Sequence, residues 1–404
     1  KVQRPAVHQA VGQRLLDVAT QELSTSRLFH FVNQLNLGRS LIIEPAERSV
    51  LAGLNLQAGR QAKAAAAYEP ALDYLNIGIS LLDEAAWDLE PELIGQLHHE
   101  AAEVACLCGQ YTVMTRLIAT ALARLTDITE RTQLQLTQLQ ALVLQNQPLL
   151  VVTSALPLLK RLGVQFPQRL RLLHTIGGLL YTRLHLSSWS EQRLLQHREV
   201  RDPTQRASLW ILAKIGSPAY MAMPDLSPLI TFRVIRLSLK HGYTPTTAMS
   251  FAAYGLVTCA VVGNIPNGYY YGQIALKLAD RFQQTTIRCR AHFLFAYLIA
   301  HWKMPLREVA LRLDDVYQIG LKAGDFEYAA YAAYASVHVC LIAGDKLTNI
   351  QERLETAAEI SSRLQQEITQ QWIAIHQQFL DSLQDASLGI NDNRHILKLS
   401  SVSD

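Results

Sequence analysis

Three side chains able to hold a metal ion recur along one helical face near residue 100. His99, Glu103 and Cys106 follow Gln96 at spacings of three, four and three, which brings all four to one side of an α-helix. An imidazole, a carboxylate and a thiolate together suit Zn²⁺. Three ligands on a single helix nevertheless fit a tetrahedral shell poorly, and the neighbouring His98 falls on another face. The expectation is therefore a groove surface with a buried cysteine, and no resident metal or cofactor.

A second constellation is aromatic. Arg290, Phe293 and Tyr297 share one helical face, and Tyr331, Tyr334 and His338 share another at the same spacings. Side by side, the two rows would present flat rings with hydroxyl, imidazole and guanidinium anchors, a surface suited to a sugar, a nucleotide base or a peptide. The competing meaning is packing between helices, since aromatics at helical spacing are more often core, and Tyr328, Tyr331 and Tyr334 would serve that purpose equally well.

Other candidates carry less chemistry. Tyr269, Tyr270 and Tyr271 are consecutive, so on a helix they point in different directions, and the flanking Gly268 and Gly272 mark close helix contact. Lys160, Arg161, Arg169 and Arg171, with His174 and Arg183 nearby, form a basic cluster without interleaved aromatics, which suits a solvated face or an interdomain contact better than nucleic acid. Asp314 and Asp315 are adjacent and diverge by about 100° on a helix, so they do not form a shared acid–base site. The sequence has no G-x-x-x-x-G-K-[ST] phosphate loop, no kinase glycine loop and neither H-R-D nor D-F-G. Catalysis by this chain is not expected.

Composition frames these candidates. Hydrophobic residues make up 49% of 404 and charged residues 18%, which excludes a disordered chain and permits extensive burial. A formal charge of +3 gives no global attraction to nucleic acid or an acidic membrane. Cys106, Cys108, Cys259, Cys289 and Cys340 are odd in number and lie in apolar helical patterns, so buried thiols in a reducing, cytoplasmic compartment are expected. The chain begins at Lys1, shows neither a signal sequence nor a lipidation motif, and reads as a fragment of a larger protein. Its apolar runs fall short of the roughly 20 residues of a spanning helix.

The elements that position the candidates are helical hairpins. Two opening helices are expected over Val7 to Ala19 and Arg27 to Leu37. From Glu44 a further helix carries Ala58, Gly59 and Ala62 on one face, and after a turn near Gly59–Ala62 a partner running to Leu82 carries Tyr68, Ala71, Leu75 and Gly78. Small residues let two antiparallel helices approach closely, with Tyr68 and Leu75 filling the space between them. A shift of about 43 residues, within the range of helical repeats, aligns this hairpin with Pro91 to Leu125, matching Tyr68 to Tyr111. A looser copy spans Arg131 to Leu162. After an irregular stretch whose prolines, Pro218, Pro224 and Pro228, are expected to interrupt helix more than once, hairpins resume. Thr246–Val262 pairs with Asn267–Phe282, Thr285–His301 with Pro305–Ala323, and Asp325–Ala343 with Leu347–Gln365. A last helix, Glu367–Leu383, caps the stack. The expected fold is all-α, an α-solenoid of tetratricopeptide-like hairpins wound as a right-handed superhelix. Its divisions are an array over 1–167, an irregular helical connector over 168–228, a second array with its capping helix over 229–385, and a flexible tail over 386–404.

The wording of the hairpins is also familiar. LFHFVNQLNLG (Leu28–Gly38), ERSVLAGLNLQAGRQAKAAAAYEPALDYLNIGISLL (Glu47–Leu82) and LGVQFP (Leu162–Pro167) resemble the helical region of large bacterial, especially cyanobacterial, multi-sensor signal-transduction kinases. In that family the region follows a Ser/Thr kinase-like domain and a predicted ATPase, and often precedes a GAF domain and a histidine kinase. The resemblance implies a non-catalytic sensor, coupling and protein-interaction module. Its partners would be the ATPase, kinase and GAF domains of the same or partner signalling proteins, with a small-molecule effector also possible and neither nucleic acid nor membrane involved. Two alternatives stand beside it: an inducer-binding solenoid of a transcriptional regulator, taking a sugar or nucleotide, and a peptide-binding scaffold.

Overall fold

A computed structural model describes residues 25–167 and 169–387. Among them are nineteen α-helices and two short 3₁₀ turns, and a single isolated bridge between Glu199 and Tyr243 stands in place of any sheet. The protein is all-α. The helix expected over Val7–Ala19 and nearly all of the C-terminal tail lie outside the described residues. The chain divides into two compact units, one of residues 1–165 with 217–223, the other of 166–216 with 224–404.

The first unit contains α1 (Thr25–Gly38), α2 (Pro45–Ala64), α3 (Tyr68–Leu81), the single-turn α4 (Ala86–Leu89), α5 (Pro91–Leu107), α6 (Tyr111–Arg124), α7 (Ile128–Leu144) and α8 (Pro148–Arg161). Neighbours pack in sequence, and α3 and α7 also pack against α5. Small residues explain the closeness of α2 to α3. A Cβ on Gly59 would lie 2.6 Å from Cγ of Leu75, itself fully buried, and one on Gly78 would lie 3.3 Å from Cβ of Asn55 on α2 and 2.7 Å from Leu97 on α5. The turn after α2 falls at residues 65–67, later than the expected position near Gly59–Ala62. Helix-forming alanines carry α2 a further turn, and Pro70 is accommodated in the first turn of α3.

Each hairpin of this unit turns in the same way. Ala67 donates its N–H to Ala62 O (2.9 Å) and Ala66 to Lys63 O (3.0 Å). Gln110 and Gly109 repeat the pair on Ala105 and Cys106, and Gln147 and Asn146 on Leu142 and Val143. This six-to-one, five-to-two pattern satisfies carbonyls left over at a helix end and requires a left-handed residue, supplied by Ala66, Gly109 and Asn146. One buried feature has no periodic signature. Asn36 and Asn55 exchange reciprocal amide hydrogen bonds of 2.8 and 2.9 Å between α1 and α2.

The second unit contains α9 (Leu172–Ser187), α10 (Glu191–Gln196) and most of α11 (Pro203–Ala222), followed by α12 (Ser227–His241), α13 (Thr247–Ala260), α14 (Ile265–Phe282), α15 (Thr285–Leu298), α16 (Leu306–Ala323), α17 (Phe326–Ile342), α18 (Leu347–Arg363) and α19 (Glu367–Ser387). Contrary to expectation, α11 runs through Pro218, and the break comes at residues 223–226. An interior proline costs about 3 kcal/mol. Burial elsewhere along the helix, where Leu209, Ile211, Leu212 and Ile215 are all fully buried, outweighs that cost.

Close approach again follows glycine. On α13 and α14 a Cβ at Gly268 would lie 2.6 Å from the Gly255 carbonyl oxygen, and one at Gly272 would lie 2.7 Å from the Phe295 ring. Tyr269 and Tyr271 accordingly pack in different directions, against Phe295 and Tyr254. Further on, α16 packs more extensively with α17 than α15 does with α16 or α17 with α18, the pairs expected from the sequence. Gly320 is the reason, because its backbone sits against Ala329 at a distance where a Cβ would be 2.9 Å away. Helices α15, α17 and α19 lie along one another as alternate members of this succession, α15 beside α17 and α17 beside α19.

Candidate functional site

The alternate helices α15, α17 and α19 carry a continuous row of rings and polar anchors. Successive turns of α17 present Tyr328, Tyr331, Tyr334 and His338 along one flank, where α15 meets them with Arg290, Phe293 and Tyr297. Phe293 sits with ring centroids 5.5 Å from Tyr328 and 6.1 Å from Tyr331, and Tyr297 Oη lies 2.9 Å from His338 Nδ1. All six residues expected from the sequence are thus gathered on one surface.

Arg290 holds one end of the row. Its Nε donates to Asp325 Oδ2 at 2.7 Å and its Nη2 to Oδ1 at 3.3 Å, while its guanidinium lies 4.7 Å from the Tyr328 ring centre. The Asp325 side chain is only 4% exposed, at the corner preceding α17, whereas that of Arg290 is 33% exposed. Burial opposes the charge of Arg290, but the Asp325 carboxylate outweighs it and raises the pKa above its ordinary value. Arg290 is therefore an anchor between helices, with its charge already committed.

The last helix, expected over Glu367–Leu383 as a cap, also contributes to the row, which sequence reasoning missed. Trp372, 38% exposed, lies over both Tyr331 and Tyr334 at 5.4 and 5.3 Å, and His376 meets Tyr334 edge-on at 5.1 Å. His376 Nδ1 is 3.1 Å from the Trp372 carbonyl oxygen and 3.2 Å from the Tyr334 hydroxyl. A carbonyl can only accept, so the Trp372 contact calls for a proton on Nδ1, whereas the Tyr334 contact forms with either group as donor. Burial pushes the Tyr334 phenol up to about 12, which keeps the hydroxyl protonated at neutral pH. His338 is held below its ordinary pKa by burial and then by the charge of His376. A signal for α19 did exist: Tyr297 to His338, Tyr331 to Trp372 and Tyr334 to His376 are 41, 41 and 42 residues apart, as are other cross-helix partners such as Asn33 and Tyr74.

Cys289 is fully buried, and burial followed by the nearby Asp325 charge pushes its thiol up to about 12. Asp314 is tied to Arg353 of α18 and accepts from Ser336 at 2.8 Å, an inter-helix brace. The arrangement can stack a flat ring against Trp372 and offer it a hydroxyl and an imidazole.

The other constellation dissolves into an ion network. Glu103 pairs with Lys63 of α2 at 3.0 Å, and the largely buried Glu100 pairs with Lys63 at 2.5 Å and Arg60 at 2.8 Å. Burial opposes the charge of Glu100, but Lys63 and then Arg60 hold its pKa below the ordinary carboxylate range. Gln96 accepts from Arg60 at 3.0 Å. Cys106 is buried, and among the described residues no three His, Cys, Asp or Glu side chains gather closely enough to hold a metal ion. His99, Glu103 and Cys106 are therefore not assembled into a ligand set. Of the basic cluster, Lys160, Arg161, Arg169, Arg171 and Arg183 are all exposed. Among the described residues no helix is long and apolar enough to cross a membrane.

No protein-family model matches the sequence. A curated relative, "Hybrid signal transduction histidine kinase G" of Dictyostelium discoideum, is 22% identical over 342 residues, covering 76% of this chain and 10% of that protein. The chain spans about a tenth of that relative's length.

Proposed function

We propose that this chain is a non-catalytic sensor, coupling and protein-interaction module of a larger cytoplasmic signal-transduction kinase or ATPase, built as an α-solenoid of tetratricopeptide-like hairpins. The supporting observation is the row on α15, α17 and α19, where Trp372, Tyr331 and Tyr334 share an accessible surface with His338 and His376. Similarity to a hybrid signal-transduction histidine kinase supports the context, since the matched region is a small part of that protein. In such an array a ligand spanning three helices would favour one curvature and shift the equilibrium of attached ATPase, kinase or GAF domains.

The Tyr334 hydroxyl beside an exposed indole favours a small flat effector such as a nucleotide base or sugar over an extended peptide. The same chemistry would serve an inducer-binding regulator. A thermal-shift screen of sugars, nucleotides and metabolites tests the proposal, because a ligand at 100 times its Kd stabilises the native state by about 2.7 kcal/mol. Stabilisation by one compound class, abolished in Tyr334→Ala and Tyr331→Ala, is the expected result. Stabilisation that survives both substitutions in a folded protein would move recognition elsewhere.

A further inference from the structure

Helix α9 is amphipathic in the wrong sense. Gly178, Thr182 and Leu186, four residues apart, face its own fold, and a Cβ on Gly178 would lie 2.9 Å from the Phe232 ring of α12. Thr182 and Leu186 are the buried residues of the helix. The opposite side is apolar and bare, with Leu172 74%, Leu173 73%, Ile176 43%, Leu180 53% and Leu184 70% exposed. At 100° per residue these five fall within about 120° of the helix surface. An inner face of one glycine, one threonine and one leucine under an outer face of four leucines and an isoleucine inverts what a surface helix requires.

The shape of that face suits another helix. Leu172, Ile176, Leu180 and Leu184 make one continuous ridge of every fourth residue, the kind that interdigitates with a second helix. The neighbouring row contains Gly177 between Leu173 and Tyr181, and a Cβ there would touch nothing within 4 Å, so the row has an open notch able to seat an incoming side chain. A bilayer has no use for such a notch. Charge then restricts the occupant. No Asp or Glu occurs from Arg131 to Ser190, and Arg169, Arg171 and Arg183 are exposed around the ridge. A second copy of α9, parallel or antiparallel, would set arginine against arginine.

We infer that the outer face of α9 is a docking surface for an acidic amphipathic helix of another polypeptide. Leucine-sized side chains would fill the notch at Gly177 and the grooves beside the ridge, and flanking carboxylates would meet Arg171 and Arg183. This surface lies on a different helix from the aromatic row and does not depend on it.

The test uses the full chain and a stapled helix of about 18 residues, with leucine at every fourth position and glutamate on its flanks, together with a twin carrying lysine for glutamate. By fluorescence anisotropy the acidic probe should bind about tenfold more tightly than its twin, a difference of about 1.4 kcal/mol. Leu180→Ser and Arg183→Glu should each weaken it while leaving the circular dichroism and melting of the protein unchanged, since both side chains are exposed. Equal affinity for the two probes, or indifference to Leu180→Ser, overturns the inference. Two further results would overturn it by naming another occupant. One is sedimentation with phosphatidylserine vesicles that Leu180→Ser abolishes; the other is a concentration-dependent dimer that Leu180→Ser dissolves.

Discussion

Replacing Ala66 by glycine should stabilise the first unit. Ala66 is held at φ 56°, in the left-handed region at the end of α2, and Gly109 occupies the matching place after α5 at φ 71°. Both turns close with the same pair of hydrogen bonds, so the backbone is equivalent and only the side chain differs. Left-handed geometry costs a Cβ-bearing residue about 1–2 kcal/mol. Glycine removes that strain but loses roughly 0.5–1 kcal/mol more conformational freedom on folding. The net gain for Ala66→Gly is about 0.5–1 kcal/mol. Gly109→Ala is the converse, and because a Cβ there meets no atom within 4 Å, its cost is that of the backbone alone. Arrays of helical hairpins need not unfold in one step, so amide hydrogen exchange in the intact chain is the appropriate assay. Protection should rise across α2 and α3 in Ala66→Gly and fall across α5 and α6 in Gly109→Ala. Exchange that is unchanged or faster in Ala66→Gly would refute the equivalence of the two turns.

Two other perturbations follow from charge. Removing Arg290 leaves the nearly buried Asp325 carboxylate unpaired, so Arg290→Met should destabilise by about 2–4 kcal/mol, below the upper end for a buried pair because the Arg290 side chain is 33% exposed. Asp325→Ala should cost less, and the double variant should recover part of the loss; simple additivity in chemical denaturation would show that the pair is not coupled. Stability should also fall with acid. Burial lowers the pKa values of His98, His99, His292 and His338, so their unfolded forms take up protons first. Their contribution is complete above the unfolded value of about 6.5 and is lost as pH drops through the folded values. One proton taken up by the unfolded form alone sets a ceiling of about 1.4 kcal/mol per pH unit on the slope from His98. Glu100, depressed by Lys63 and Arg60, extends the loss to lower pH. A denaturation midpoint that does not change between pH 7.5 and 5.5 would contradict this.

What the sequence made legible was whatever repeats. Gly59, Gly78, Gly268 and Gly272 were visible as contact points because helix approach demands small residues at fixed spacing, and each now abuts a neighbour that a Cβ would strike. Arg290, Phe293 and Tyr297 could be set beside Tyr331, Tyr334 and His338 because both triplets have spacings of three and four. Trp372 and His376 are not picked out because a terminal helix reads as a cap, although the interval of 41 or 42 residues that joins Tyr297 to His338 also joins α17 to them. The Asn36–Asn55 exchange was illegible for a different reason, since a reciprocal amide pair needs two side chains whose meeting depends on tertiary position alone.

Helix α9 shows why a pattern of apolar residues does not by itself declare which side is buried. Leu172, Leu173, Ile176, Leu179, Leu180, Leu184 and Leu186 fall within about 160° of its circumference, so periodicity alone would bury a face most of which the structure leaves exposed. What decides is Gly178: only the side lacking a side chain can come within reach of the Phe232 ring, and Thr182 and Leu186 follow it inward at intervals of four. The leucines on the far side are then exposed as a consequence of where the glycine sits. The same rule that draws α13 onto α14 through Gly268 leaves α9 with an uncovered ridge, so one small residue determines both an internal contact and an external one.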